Sequence, residues 1–420
     1  MQKFLFFWLG SLLLSGSLLA SGFQVALQGQ KQVGMAHTGT GLALDPAALF
    51  FNPGAMSHLR ENGFTLGASG IISNIAFVRS GTTTTWNTDN PVSTPFAVYG
   101  VWGPKDSPFK FGIGAYTPYG STVRWEENWI GRNLLEQLSL RAIAIQPTIS
   151  YNLDDRFGFG IGLVYVIGGV NLQRQLPVTD QAGNPGEVEL DGRANGLGFN
   201  AGFYFRPLEG LSLGATYRSR VAMQVDGGDA NFDVPASARA SFPAGNTFNA
   251  TLPLAAVASI GVGYEVTDKL TLALDINYTF WETYDSLTFE YEQPLVVNGQ
   301  PTSRTASPRE YQNAFAYRLG AQYQASEALA LRAGAYYDET PVRTGYMTAE
   351  TPDADRVGLS VGAGYRVGKL AIDASLLFIQ GMEREQTEQE VDEAGTASQV
   401  LPGRYQLQAL IPGVSVSYHF

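Results

Sequence analysis

The sequence predicts an all-β protein: a 14-stranded antiparallel transmembrane β-barrel with an N-terminal internal plug, or hatch. Three observations predict it. Many segments alternate bulky apolar with small or polar residues at period two, their connections alternate between short and long, and the chain opens on a secretory signal. Composition agrees: 48 Gly, 20 Tyr and 24 Phe accompany only 45% apolar residues, which suits a wall whose two faces meet different solvents. No apolar run after the signal reaches the length of a helical membrane span.

The first element is "MQKFLFFWLGSLLLSGSLLA", with Lys3, an apolar run and then small residues. That order predicts a signal peptide over residues 1–20, cleaved after Ala20. Residues 21–60 follow with little alternation. In "GMAHTGTGLALDPAALFFNPGAM", Asp45 can cap a short helix with Pro46 at its first position, and Asn52-Pro53 followed by Gly54 fixes a turn. Such a backbone lacks partners in hydrocarbon, whereas the inside of a barrel supplies walls and water. Fourteen strands enclose more space than side chains fill, so the segment is expected inside as a hatch.

Residues 61–420 are expected to form the barrel. Its strands are predicted at 63–78, 94–103, 109–118, 138–152, 155–169, 188–206, 210–226, 250–267, 269–290, 308–325, 328–343, 353–368, 369–384 and 401–420. In "KLTLALDINYTFW", Leu270, Leu272, Leu274 and Ile276 share one face and Thr271, Ala273, Asp275 and Asn277 the other. "DRVGLSVGAGYRV" sets Val357, Leu359 and Val361 against Gly358, Ser360 and Gly362. "GPKDS", "LDD", "PLEG", "TDK" and "ASEA" read as short turns, while residues 170–187, 227–249, 291–307 and 385–400 read as long loops. Closure follows from physics, because an open strand edge cannot face lipid. Tyr151, Tyr165, Tyr217, Tyr264 and Tyr323 are expected as an aromatic girdle at the short-turn side. The last strand ends on Phe420, which resembles the signal that bacterial outer-membrane barrels present to their assembly machinery.

Other function classes fit poorly. A net charge of −11 opposes nucleic-acid binding. With no cysteine there is no disulfide scaffold, thiolate metal site or acylated N-terminal anchor. His37, His58 and His419 have no convincing serine partner, so no enzyme is expected, and no cofactor. No cluster of His and Asp suggests a dedicated metal site, while the acidic stretch "EREQTEQEVDE" leaves bound calcium open.

On these residues the chain resembles the FadL/TodX family of outer-membrane transporters for long-chain fatty acids and other hydrophobic compounds. The resemblance is carried by "SGFQ" at Ser21 to Gln24, by Asn52-Pro53-Gly54 in place of a compact Asn-Pro-Ala element, and by "YTPYGSTVRWEENWIGRN", "LRAGAYYDETPV" and "PDADRVGLSVGAGY". It implies passive uptake across the outer membrane: capture at surface loops, an internal pocket beside the hatch, and lateral exit through the barrel wall. It also implies a monomer among outer-membrane lipids and lipopolysaccharide.

The roles implied for single residues are these. Ser21, Gly22 and Phe23 line the internal pocket, and Asn52, Pro53 and Gly54 support the gate against a distorted wall. Gly54 lacks the usual methyl, which predicts a looser backbone there. The opening is expected in the third strand, where Gly112 and Gly114 face inward and Pro118 removes a ladder donor. Trp125 and Trp129, on a long outer loop, are expected to meet solute first. Arg218, Arg220, Arg318 and Arg332 have inward parity; Arg318 and Arg332 are expected partners for a solute carboxylate, with Asp275, Asp338 and Asp373 as counter-charges. The rival reading is a general or weakly selective porin with an aqueous channel.

Overall fold

Strand pieces joined end to end make the wall, and a helical N-terminal segment fills its lumen. The computed structural model describes residues 22–104, 107–297 and 299–420. The expected signal peptide and Ser21 lie outside the described residues.

Among the described residues, fourteen strands close into one antiparallel sheet. The first is Gly63–Ser69 continued by Ile72–Arg79, the second Phe96–Trp102, the third Phe109–Arg124, the fourth Gln137–Leu153, the fifth Phe157–Thr179 and the sixth Pro185–Leu208. Four interrupted strands follow: Leu211–Arg218 with Val221–Asp233, Asn246–Leu254 with Val257–Thr267, Leu270–Thr279 with Ser286–Val297, and Gln300–Pro308 with Ala314–Gln324. The last four are Leu329–Asp338, Arg356–Val367, Leu370–Gly381 and Gly403–His419. Closure is direct, since Gly63 pairs with His419 and Ser69 with Gly413. Closure lets the backbone groups of the wall pair with a neighbouring strand, which hydrocarbon demands, save at one break in the third strand.

The alternation holds where the wall crosses lipid. Leu359 and Val361 point out, 56% exposed each, while Asp275 and Arg318 are buried at 2% and 5%. Two of the expected long loops are corrected. Residues 170–187 and 291–307 are largely hairpins, in which the fifth and sixth strands and the ninth and tenth continue past the membrane. Above the hydrocarbon both faces meet water, so the apolar alternation fades although backbone pairing continues. Tyr151, Tyr264 and Tyr323 do stand near the short turns. Tyr165 and Tyr217 instead lie six or more residues up their strands, at the outer boundary of the apolar band.

The segment before the barrel holds three short helices: α1 (Gln30–Val33), α2 (Ala48–Phe51) and α3 (Pro53–Met56). Helix α3 lies on the fourth, fifth and sixth strands and reaches the seventh, and α1 lies on the twelfth, thirteenth and fourteenth. A short chain that touches both sides of a closed ring sits inside it. Asn52 accepts from the N–H of Gly54 at 2.9 Å and caps α3 with Pro53 at its first position. Asp45, expected to cap a helix that begins at Pro46, instead accepts from the N–H of Ala47 at 3.1 Å in the turn before α2, which starts only at Ala48 and has no side-chain cap. Close approach explains Gly54. A Cβ there would stand 2.6 Å from the carbonyl oxygen of Gly158 and 2.8 Å from that of Gly202, both backbone atoms that cannot swing aside. The missing methyl lets the turn seat on the wall; it does not loosen it.

Candidate functional site: an apolar pocket, a hatch strand and a cavity through the wall

The third strand is regular as far as Tyr116. There its pairing with the second strand ends, and its pairing with the fourth slips: Tyr116 faces Ala144 but Tyr119 faces Ala142, so Thr117 and Pro118 oppose Ile143 alone. This is a bulge, which leaves one edge of the third strand open above Tyr116. The hatch partly covers that edge. Val25 donates its N–H to the Pro118 carbonyl at 3.0 Å, the N–H of Gly120 donates to Phe23 at 3.2 Å, and Gln24 bridges Tyr119. Residues 23–25 thus act as a very short added strand.

A cavity of about 670 Å³ lies at this break. On one side it is lined by lumen residues such as Tyr336, Arg356 and Ile379, on the other by Ile143 and Arg141, which lie on the outward face of the fourth strand. Residues of both faces of the wall therefore border it. Next to it in the lumen is a smaller cavity of about 60 Å³, lined by Leu140, Val170, Leu172, Met223, Leu252 and Phe289 among other apolar groups. Phe23 lines both. Its ring packs 4.9 Å from Trp281, 5.7 Å from Tyr284 and 5.8 Å from Tyr119. Gly22 beside it donates its N–H to Asp353 at 2.8 Å, and Thr340 donates to the same oxygen at 2.7 Å. Burial pushes the Asp353 carboxyl up, opposed by the Arg356 charge.

Below this region the hatch is held by polar clamps. Asn52, fully buried, donates to the carbonyls of Thr40 and Phe203, both at 2.9 Å. Asp275 accepts from the N–H groups of Gly39 and Thr40, both at 2.8 Å. Arg218 donates to the Phe50 carbonyl at 3.0 Å and to the Tyr116 hydroxyl at 2.6 Å, with its guanidinium over the Phe50 ring. His37 has a positive φ of 64° and sits against Phe51; burial, with the charge of Arg318, holds its imidazole well below the usual range and keeps it neutral.

The expected site residues separate into groups. Gly22, Phe23 and Pro118 meet at the break. Gly112 and Gly114 lie below it in regular ladder, where they make room for Leu49 and Met56 of the hatch and for Tyr99 of the neighbouring strand. Pro53 and Gly54 rest on the glycines of the fifth and sixth strands, away from the bulge. Arg318 pairs with Asp338 at 3.1 Å, a carboxylate that Arg356 also faces at 3.6 Å, and Arg332 pairs with Asp373 at 2.8 Å. Neither lines the apolar pocket beside Phe23, while Arg318 lines a small lumen cavity with Gln24 and Trp281. Arg220 is corrected outright. The strand breaks at Ser219, the parity turns over, and Arg220 is exposed and bonded to Thr283 at 3.0 Å. Trp125 and Trp129 stack at 4.3 Å and are buried, with the Trp125 indole donating to the Ala349 carbonyl at 3.1 Å. They form the core of the loop layer with Phe77 and Tyr405 and are not presented to the medium. Asp353, 331 residues from Gly22, and Arg141 were not singled out in the sequence. Long-range contact leaves no local pattern.

A family profile described as "Outer membrane protein transport protein (OMPP1/FadL/TodX)" matches residues 11–420. The chain belongs to this family. It is an outer-membrane barrel of the OMPP1/FadL/TodX transporters. The "47 kDa outer membrane protein" of Pasteurella multocida is 27% identical to it, covering 97% of this chain and 96% of the relative. The "Long-chain fatty acid transport protein" of Salmonella typhi is 23% identical, over 88% and 89%. A Pseudomonas aeruginosa FadL homologue of known crystal structure superposes with a TM-score of 0.81 at 21% identity, covering 95% of this chain and all of that one, which shows the shared fold.

Proposed function

We propose that this barrel carries long-chain fatty acids or similar hydrophobic compounds passively across the outer membrane and releases them sideways. Solute is captured at the loop layer above Trp125 and Trp129, settles in the apolar pocket against Phe23, and leaves through the cavity beside the third strand. Residues 21–60 act as the hatch that keeps the straight path shut. The working form is a monomer, inserted by the barrel assembly machinery among lipopolysaccharide. The observation that carries the reading is the wall cavity itself, lined by lumen and outward residues together and bridged by residues 23–25 of the hatch. A sideways route also suits the physics. At ~0.8 kcal/mol per CH₂, a chain of roughly sixteen carbons faces a penalty of order 10 kcal/mol on entering water. Downward from the hatch, a periplasmic cavity of about 600 Å³ is lined by charged groups including Lys31, Glu61 and Arg206. A greasy solute has little reason to go there.

Gly120→Trp tests this. Gly120 lines the wall cavity, and a Cβ there stands 3.3 Å from the Leu140 carbonyl and 3.9 Å from the Val25 side chain, so the fourth strand must give by a few tenths of an ångström while the indole fills the passage. Uptake of radiolabelled palmitate by intact cells is expected to fall about tenfold or more, the loss anticipated when a well-filled passage displaces a bound hydrophobe. Wild-type uptake by a barrel shown to be folded at the surface would overturn the route.

A further inference from the structure

We propose that Arg141 is the carboxylate-receiving residue at the outer lip of the wall cavity, which makes the exit selective for amphiphiles with an acidic head. This rests on the sideways route proposed above.

Three observations lead there. Arg141 lies on the outward face of the fourth strand, exposed, and borders both the wall cavity and the apolar pocket behind it. Its guanidinium takes part in no hydrogen bond or ion pair among the described residues, whereas Arg356 at the inner end of the same cavity faces Asp338 at 3.6 Å. Its level is that of lipid headgroups. Arg141 pairs with Gly169, one step above the last outward apolar pair of these strands, Ile143 with Ile167, and four residues above Tyr165 of the outer boundary. An arginine is tolerated near that interface and costly deeper in the hydrocarbon, so its charge is placed to meet an anion as the anion arrives at the membrane surface.

Below Arg141 the same outward row continues as Ile143, Ile145, Pro147 and Ile149, with Ile145 36% and Ile149 40% exposed. Eight residues at ~3.4 Å each, tilted by ~45°, descend about 19 Å, somewhat more than one leaflet of a ~30 Å hydrocarbon core. Head on Arg141 and tail along the isoleucines is the posture of a fatty acid already standing in the outer leaflet. At the inner end of the cavity Arg356 is partly buried and shares Asp338 with Arg318, at 3.6 Å and 3.1 Å. A carboxylate leaving the lumen therefore passes from a partly buried arginine beside an acidic group to an exposed arginine at the lip that has no acidic neighbour among the described residues.

The neutral comparison solute is 1-hexadecanol, which shares the chain length of palmitate and lacks the charge. Uptake of each is measured in intact cells that carry wild type, Arg141→Gln, Arg141→Lys, Arg193→Gln or Gly120→Trp. Arg193 is exposed on the same row across Gly169, outside the cavity, and reports the effect of surface charge alone. Arg141→Gln is expected to cut palmitate uptake about tenfold and leave hexadecanol within twofold, the loss typical of one charge-assisted hydrogen bond. Arg141→Lys is expected to restore most of it, and Arg193→Gln to behave as wild type. Equal palmitate uptake by wild type and Arg141→Gln overturns the inference. So does an equal loss in Arg193→Gln, which assigns the charge to lipid phosphate, or an equal loss of hexadecanol. Gly120→Trp keeps the two readings apart: if it carries both solutes at the wild-type rate, the sideways route itself fails, whatever Arg141→Gln does.

Discussion

Replacing Asn52 by Ala is expected to unseat the hatch, lowering solute uptake several-fold and producing ion-conducting openings in planar bilayers. Asn52 is fully buried and makes three hydrogen bonds: two from its amide to the Thr40 and Phe203 carbonyls, and one received from the Gly54 N–H. One of these ties the hatch to itself at Thr40, one ties it to the wall at Phe203, and one caps α3. Removing the side chain takes a partner from the buried Thr40 carbonyl and Gly54 N–H, at about 1–3 kcal/mol each, and from the half-buried Phe203 carbonyl of the wall. The wall ladder is untouched, so the melting of the barrel in detergent should change little while the hatch loosens. Asn52→Asp keeps the cap but sets a buried carboxylate oxygen against both carbonyls, and should be at least as disruptive as Asn52→Ala. Wild-type conductance and uptake in Asn52→Ala would show that the turn is a spacer and not a clamp.

The second large effect concerns Arg332, whose partner Asp373 lies two strands away, across the inward glycine Gly364. Both side chains are buried, at 4% and 2% exposure. Asp373→Ala strands the arginine without its counter-charge and should destabilise the barrel by about 3–5 kcal/mol, read as a lower temperature of unfolding in the gel-shift assay of barrel folding. The double replacement Arg332→Met with Asp373→Leu removes both charges and should recover most of that loss. It also separates a structural role for Arg332 from a role with solute. Palmitate uptake by the double variant is expected to match wild type, and a specific loss of palmitate with hexadecanol unchanged would return Arg332 to the solute path.

The membrane-crossing part of the wall was legible in the sequence because lipid on one side and lumen on the other impose period two. Leu359 and Val361 against Gly358 and Ser360 is that rule made visible. The hatch was legible by contrast, as a stretch whose turns and small residues suit no strand. Legibility failed where the two-solvent condition lapses. Residues 170–187 and 291–307 stay paired above the membrane without alternating, and a break of two residues at Ser219 and Arg220 reverses the parity that had placed Arg220 inside. The site was legible only in its local parts: Phe23 near the start of the hatch, and Pro118 at a strand it could not complete. The partners of these residues come from far along the chain. Asp353 holds Gly22, Trp281 and Tyr284 enclose Phe23, and Val25 completes the edge that Pro118 leaves open. The buried stack of Trp125 and Trp129 shows the same limit, since two indoles on a long loop read as bait for solute until Phe77 and Tyr405 are seen to cover them.

Photolabelling maps the path of the solute directly. Purified barrel is loaded with a palmitate analogue carrying a diazirine near the end of its tail, illuminated, digested and read by mass spectrometry. The sideways route predicts adducts on Phe23 in the lumen and on Ile143 and Val92 at the wall cavity, all lost from Gly120→Trp except those on Phe23. Adducts concentrated on Leu42, Leu44 and Leu211 of the periplasmic cavity, and unaffected by Gly120→Trp, would contradict it and send the solute straight through the hatch.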